Sequence, residues 1–221
     1  MKTAIVTGAS RGVGYATSKF LSENGYHVIA VSRNLEAMMP LKSENVELYQ
    51  LDITDFKKME EFANKYKEIT LDLLVNNAGG GSGSNYIEND NPENWKKSYD
   101  VNVVSPMYLS KLMLPCLKKS QSPTVIFITS LAGKYPYVSG GNYATAKRGE
   151  SGLVDVMRLE FSQQNIKITE ICPGTINTGL EQRPAALSSE DMAKTIGWVS
   201  SLPNHLNINH IELNHVHSRK F

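Results

Sequence analysis

The feature that most constrains this chain is a repeated change of hydrophobic period, in which short apolar runs rich in β-branched residues are each followed by a longer amphipathic stretch. Runs of the first kind lie at 3–7, 27–31, 46–50, 71–76, 124–129 and 167–172, and a short final one at 208–213. Strands this apolar are buried on both faces, and parallel strands need a crossover of helical length, so the alternation predicts a parallel sheet. Helical periodicity falls between the runs, at 12–23, 35–39, 56–66, 92–117, 143–161 and 189–202. The expected fold class is α/β: a doubly wound parallel sheet with helices on both faces. The 221 residues show no repeat, linker or composition shift, which fits a single domain over 1–221.

Composition then excludes several function classes. A hydrophobic content of 41% is enough to fill such a core, and a net charge of +1 with no basic block gives no footprint for nucleic acid or an anionic membrane. Any anion has to be bound locally. No apolar stretch approaches the roughly 20 residues that span a bilayer, and the first strand pattern begins at Lys2, so a cytoplasmic protein is expected. Cys116 and Cys172 form no CxxC pair, and His205, His210, His215 and His217 lie in the C-terminal tail without acidic partners at helical spacing. Both thiols are read as structural, and no metal site is expected.

The first strand runs into Thr7-Gly8-Ala9-Ser10-Arg11-Gly12-Val13-Gly14 and then into a helix. A strand, a glycine-rich turn and a helix N-terminus make an anion site, because the backbone can approach a pyrophosphate and unpaired helix N–H groups point at it. The spacing is GxxxGxG, which differs from the common GxGxxG fingerprint. It resembles the TGxxxGxG motif of the short-chain dehydrogenases/reductases, whose fold is Rossmann-like. Asn76-Asn77-Ala78-Gly79 is similar to that family's NNAG motif, and Asn102, Ser130, Tyr143 and Lys147 match its Asn-Ser-Tyr-Lys tetrad in order and approximate spacing. Pro173-Gly174 with Thr178 resembles its PG motif and the threonine near the nicotinamide carboxamide.

The resemblance implies a dinucleotide held by Gly8, Ser10, Arg11, Gly12, Val13 and Gly14, by Asn77, Ala78 and Gly79, and by Pro173, Gly174, Ile176 and Thr178. Asp52, with Ile53 beside it, is similar to the family aspartate at the adenine ring, although Asp52 also reads as a cap for the turn that follows. The second strand ends in Val31-Ser32-Arg33-Asn34. No acid is present there to hold a ribose 2′-hydroxyl, while Ser32 and the Arg33 guanidinium suit a 2′-phosphate, so NADP(H) is the expected cofactor.

Tyr143 and Lys147 are four residues apart on a predicted helix and share one face. An ammonium beside a phenol favours the phenolate. By resemblance Tyr143 is the general acid/base and Ser130 steadies the carbonyl oxygen. Lys147 also grips the nicotinamide ribose, and Asn102 holds a water in a proton relay. The resulting expectation is an oxidoreductase that moves a hydride between NADP(H) and a small carbonyl or alcohol. The alternative is a non-catalytic NADP(H)-binding sensor or scaffold of the same fold.

Residues 131–138 are expected to form one substrate wall, with Lys134 available to a carboxylate, and Ile176, Thr178, Gly179 and Leu180 the other. Only about a dozen residues separate Pro173-Gly174 from the next helical signal, which implies a short lid and a shallow site. Residues 189–213 resemble the family branch acting on 3-hydroxy acids such as serine, from which the short lid departs. The glycine-rich stretch 79–91 is expected to be a mobile loop. A homodimer or homotetramer is expected, with Leu153, Val154, Met157 and Phe161 as apolar surface beyond what one sheet face needs to cover.

Overall fold

The computed structural model describes residues 1–83, 85–178 and 185–218. One sheet carries seven parallel strands in the order β3-β2-β1-β4-β5-β6-β9. These are β1 (Lys2–Thr7), β2 (Tyr26–Ser32), β3 (Val46–Gln50), β4 (Leu73–Asn76), β5 (Thr124–Ile128), β6 (Lys167–Pro173) and β9 (His210–Leu213). The order reverses at β1, which pairs with β2 through Ile5↔Ile29 and with β4 through Ile5↔Leu74. A crevice opens at the carboxyl ends of β1 and β4 for this topological reason.

Period-two alternation divides the core between the two faces. Ile5, Ile29 and Phe127 pack against Phe62 of α3 (Phe56–Lys65), Met113 of α5 (Ser105–Leu117) and Val154 of α6 (Gly141–Ser162). Ala4, Val28 and Ile126 pack on the other face against Leu21 of α1 (Gly12–Glu23) and Ile196 of α7 (Ser189–Ser201). Capping fixes where the outer helices begin. Asn34 opens α2 (Leu35–Met38), Asp55 opens α3, Asn91 opens α4 (Pro92–Tyr99), and Ser188 forms a capping box with Asp191 at α7.

Several expectations are corrected. The predicted helix over 92–117 is interrupted by a π-helical segment, Asp100–Val104. Pro106 has no N–H to offer the Asn102 carbonyl, and the backbone and hydroxyl of Ser105 turn instead to the Asp100 carbonyl, the hydroxyl at 2.6 Å. Val154, Met157 and Phe161 are buried beneath α6 and Leu153 packs against the same core, so they cover the sheet and are not spare surface. The outer face of α6 carries Val156 and Leu159 instead, 52% and 73% exposed. A two-residue parallel pair absent from the sequence pattern, β7 (Ile176–Asn177) with β8 (Leu187–Ser188), joins the ends of the segment after Gly174.

Candidate active site

The crevice is a cleft of about 1160 Å³, and every residue expected to hold the dinucleotide lines it except Gly14. Gly14 lies behind the turn, where a Cβ would stand 2.4 Å from the Gly8 carbonyl oxygen. The turn reverses at Gly8, whose φ of +70° favours glycine. Thr7 binds it to the neighbouring strand end: its hydroxyl accepts from the amides of Asn77 and Ala78, both at 3.0 Å, and the Asn77 side-chain amide donates back to the Thr7 carbonyl at 2.8 Å. The glycine motif and Asn77-Ala78-Gly79 thus form one rigid floor. Unlike α2, α3, α4 and α7, α1 has no side-chain cap on its N-terminal amides, so these amides face the cleft with the charge of the helix dipole behind them.

At one end of the cleft Arg33 Nη1 lies 3.7 Å from Asp52 Oδ2, both groups well exposed. Asp52 also accepts from the Thr54 amide at 3.0 Å and hydroxyl at 2.8 Å. The turn role expected for it is therefore present, while the cap of α3 falls to Asp55. Burial pushes the Asp52 carboxyl up, but the two Thr54 hydrogen bonds and Arg33 outweigh it and hold the group below the usual carboxylate range. The Ser32 hydroxyl, almost buried, accepts from the Asn34 amide at 3.3 Å.

At the other end Ser130, Tyr143, Lys147 and Thr178 line the same space. The tyrosine and lysine are one turn apart on α6, with Lys147 Nζ 6.0 Å from the centre of the Tyr143 ring. Ser130 accepts from the Ala132 amide at 3.1 Å, which fixes its oxygen and leaves its own O–H to donate. Asn102 is fully buried in the π segment. Its amide donates to the carbonyls of Gly80 at 2.8 Å and Ser98 at 2.7 Å, and its Oδ1 accepts from the Gly80 amide at 3.1 Å. Asn102 and Lys147 flank Gly79 so closely that a Cβ there would meet Asn102 Oδ1 at 2.6 Å and Lys147 Nζ at 3.0 Å. The widened helical turn is what brings Asn102 under this strand end.

One member of the site was missed in sequence. Glu150, 1% exposed, accepts from Lys147 Nζ at 2.7 Å, and the same ammonium donates to the Ile128 carbonyl at 3.0 Å. Burial lifts the Glu150 carboxyl to about 7 against the opposing pull of Lys147. Burial disfavours the Lys147 ammonium too, but Glu150 and then Tyr143 more than compensate and hold it charged above the usual lysine range. The i,i+3 spacing of Lys147 and Glu150 was the available signal.

Other expectations change. Lys134 is not free for a carboxylate, because it pairs with Glu212 and lies 2.9 Å from His210 Nε2. Gly179 and Leu180 lie outside the described residues. The 79–91 stretch is tethered where it is described: the Ser82 amide donates to Ser98 at 3.2 Å, and Asn142 donates to Asp90 at 3.1 Å. His210 does have acidic partners, since the β6–β9 register sets it opposite Glu170 and its Nδ1 lies 3.0 Å from that carboxylate. Donor atoms of Glu170, Cys172 and His210 lie within 4.8 Å of one another. Burial drives the Cys172 thiol up to about 12, and Glu170 takes hydrogen bonds from Ser151 and Thr129, so the cluster has the chemistry of a hydrogen-bonded network around a protonated thiol. Cys116 is likewise buried, with its thiol pushed up by burial.

Residues 2–186 match the family model for short chain dehydrogenases. The chain is 29% identical to the NADP-dependent 3-hydroxy acid dehydrogenase YdfG of Escherichia coli K12, over 95% of this chain and 93% of that one. It is 32% identical to an uncharacterized oxidoreductase of Mycobacterium tuberculosis H37Rv, over 95% and 89%. Among solved structures, the closed form of a serine dehydrogenase complexed with NADP+ superposes with a TM-score of 0.92 at 28% identity, covering 99% of this chain and 96% of the other. The Escherichia coli serine dehydrogenase superposes at 0.88 with 29% identity, covering 99% and 100%. A fold reversing at β1, a glycine turn against an uncapped helix, and a tyrosine and lysine one turn apart at the far end accord with these matches: the chain belongs to the short-chain dehydrogenase family and is an oxidoreductase.

Proposed function

We propose that the chain works as one NADP(H)-binding domain that interconverts a small carbonyl compound and its alcohol, with reduction as its direction in the cell. The observation that carries this reading is the continuity of the cleft, which runs from Arg33 past the glycine turn to Ser130, Tyr143 and Lys147. The residues present fit NADPH: uncapped α1 amides beside Gly8 and Gly12 for the pyrophosphate, and Arg33 with Arg11 as cations for the additional phosphate. When bound there, NADPH supplies the hydride.

The protein's own groups manage the proton and the charge. Ser130, its oxygen fixed by the Ala132 amide, turns its O–H toward the carbonyl oxygen and stabilises the charge that develops. The Tyr143 hydroxyl donates its proton to that oxygen, and in the reverse oxidation takes it back as base. Lys147 favours the phenolate left behind and grips the nicotinamide ribose, while Asn102 orders the Gly79–Gly80 backbone beside it and supports the proton's return from solvent. Names of relatives point to 3-hydroxy acids as a substrate class to test. Lys134 does not serve their carboxylate here, because Glu212 neutralises it.

The test is NADPH and NADH oxidation against a panel of aldehydes and ketones that includes 2,3-butanedione, with L-serine and 3-hydroxy acids offered in reverse. Turnover with NADPH preferred is the expected result. Tyr143→Phe lowers kcat by at least about 100-fold, the lower range for general acid/base catalysis, while NADPH still binds. Unchanged turnover in that variant removes Tyr143 from the mechanism.

The protein is further proposed to act in the cytoplasm as a homodimer or homotetramer. No helix among the described residues is long and apolar enough to cross a membrane. Exposed Val156 and Leu159 on the outer face of α6 support self-association through that helix. Light scattering at micromolar concentration checks it, and a 24.5 kDa particle overturns it.

A further inference from the structure

We propose that Glu150 is a positioning residue for Lys147, a buried carboxylate that holds the ammonium charged and in place beneath the active-site tyrosine. The proposal rests on the reading of Tyr143 and Lys147 given above and adds to it a group one turn further along the same face of α6, beyond the residues that line the cleft.

The geometry is specific. Lys147 and Glu150 have side-chain exposures of 4% and 2% and meet at 2.7 Å, and a second bond to the Ile128 carbonyl fixes the ammonium to the end of β5. An ammonium taken this far from water loses its proton unless an opposite charge holds it. Other groups facing the pair do not supply that charge as directly. On α6 itself the nearest is Tyr143, whose ring centre lies 6.0 Å from Nζ. From β6, Glu170 is a like charge to Glu150, engaged by Ser151, Thr129 and His210 of β9, and Cys172 is a neutral thiol. From α4 the Tyr99 hydroxyl approaches Gly149, and from the π segment the neutral amide of Asn102 lies near Lys147 Nζ beside Gly79, while Asp100 of that segment is paired with Lys96 at 2.6 Å. Glu150 is thus the anion in contact with Lys147, and burial, which raises its carboxyl to about 7, lets it accept or release a proton within the working pH range.

The consequence has a definite sign. With a carboxylate beside it, the ammonium keeps its proton to higher pH, and the alkaline limb of the reduction, where Lys147 loses its proton, lies correspondingly high. Glu150→Gln keeps shape and hydrogen bonding but removes the charge, so that limb moves to lower pH.

The experiment measures kcat for NADPH-dependent reduction of 2,3-butanedione from pH 6 to 11.5, a range that reaches past the usual lysine value, in wild type, Glu150→Gln, Glu150→Asp and Tyr143→Phe, with NADPH affinity and thermal unfolding alongside. The expected result is a limb about one pH unit or more lower in Glu150→Gln, a smaller shift in Glu150→Asp, and NADPH affinity within about threefold of wild type. A lower melting temperature with the limb unmoved makes Glu150 merely structural and overturns the proposal. Should Glu150→Gln fail to fold, Glu150→Asp carries the measurement alone, and an unmoved limb there overturns it equally. Wild-type turnover in Tyr143→Phe overturns the underlying reading instead, so the two failures are distinct.

Discussion

The two ends of the cleft each carry one cation paired with one carboxylate, and the pairs differ in almost every physical respect. Arg33 and Asp52 sit 3.7 Å apart with side-chain exposures of 78% and 41%, whereas Lys147 and Glu150 sit 2.7 Å apart at 4% and 2%. An exposed pair is screened by solvent and contributes about 0–1 kcal/mol, so a ligand phosphate can take the guanidinium at little cost. A buried pair is held by the absence of any alternative, because either charge left alone is strongly disfavoured. On the proposed reading the same chemistry serves recognition at one end, where the cation must be exchanged, and preorganisation at the other, where it must stay in place.

The largest way to break this contrast is to remove the buried cation. Lys147→Met leaves the Glu150 carboxylate without its partner, and breaking a buried pair from one side costs about 3–5 kcal/mol. The loss depends on pH. Glu150 titrates at 4.5 when unfolded and at about 7 in the folded protein, higher still without Lys147, so the folded state binds the extra proton. Stability from that protonated carboxyl is fully present below 4.5 and falls as pH rises through 7 and beyond. Denaturant unfolding of Lys147→Met is expected to show a deficit of about 3 kcal/mol at pH 8.5, shrinking to about 1 kcal/mol at pH 5. A deficit independent of pH would mean that packing, and not the stranded carboxylate, is what the lysine supplies.

The exposed end was legible in the sequence and the buried end only in part, for reasons these residues make plain. Recognition loops follow strand ends, so once the period-two runs are located, the glycine turn, Ser32-Arg33 and Asp52 fall into line at one edge of the sheet. Helix faces are harder. Helical periodicity places Tyr143 and Lys147 together, but it cannot separate a solvated acid from one turned under the sheet, and Glu150 reads as the former while the fold makes it the latter. For the same reason Val154, Met157 and Phe161 look like surplus surface until α6 is seen to lie directly on β6. The π segment around Asn102 leaves no periodic trace beyond Pro106, whose missing N–H acts one turn upstream. The meeting of Cys172 with His210 depends on a β6–β9 register that pairs residues 40 positions apart in the chain.

A smaller expected effect tests the exposed end. Arg33→Asp replaces the cation facing the proposed 2′-phosphate with a like charge beside Asp52, and hydrogen bonds to charged groups are worth about 1.5–3 kcal/mol. The ratio of kcat/KM for NADPH over NADH is therefore expected to fall by about 10- to 100-fold, with NADH itself little changed. Fold stability should move by less than about 1 kcal/mol, since the pair that is lost is exposed. Salt produces the same discrimination in miniature. Raising ionic strength to 0.5 M brings the screening length to a few ångströms, roughly the 3.7 Å separating Arg33 from Asp52, and increases KM for NADPH severalfold while leaving KM for NADH nearly unmoved. Neither treatment reaches the dry end of the cleft, so kcat at saturating NADPH stays constant in both. If Arg33→Asp left the NADPH preference intact, Arg11 of the glycine turn would be the cation that reads the phosphate, and the charge contrast would have to be drawn between the turn and Lys147 instead.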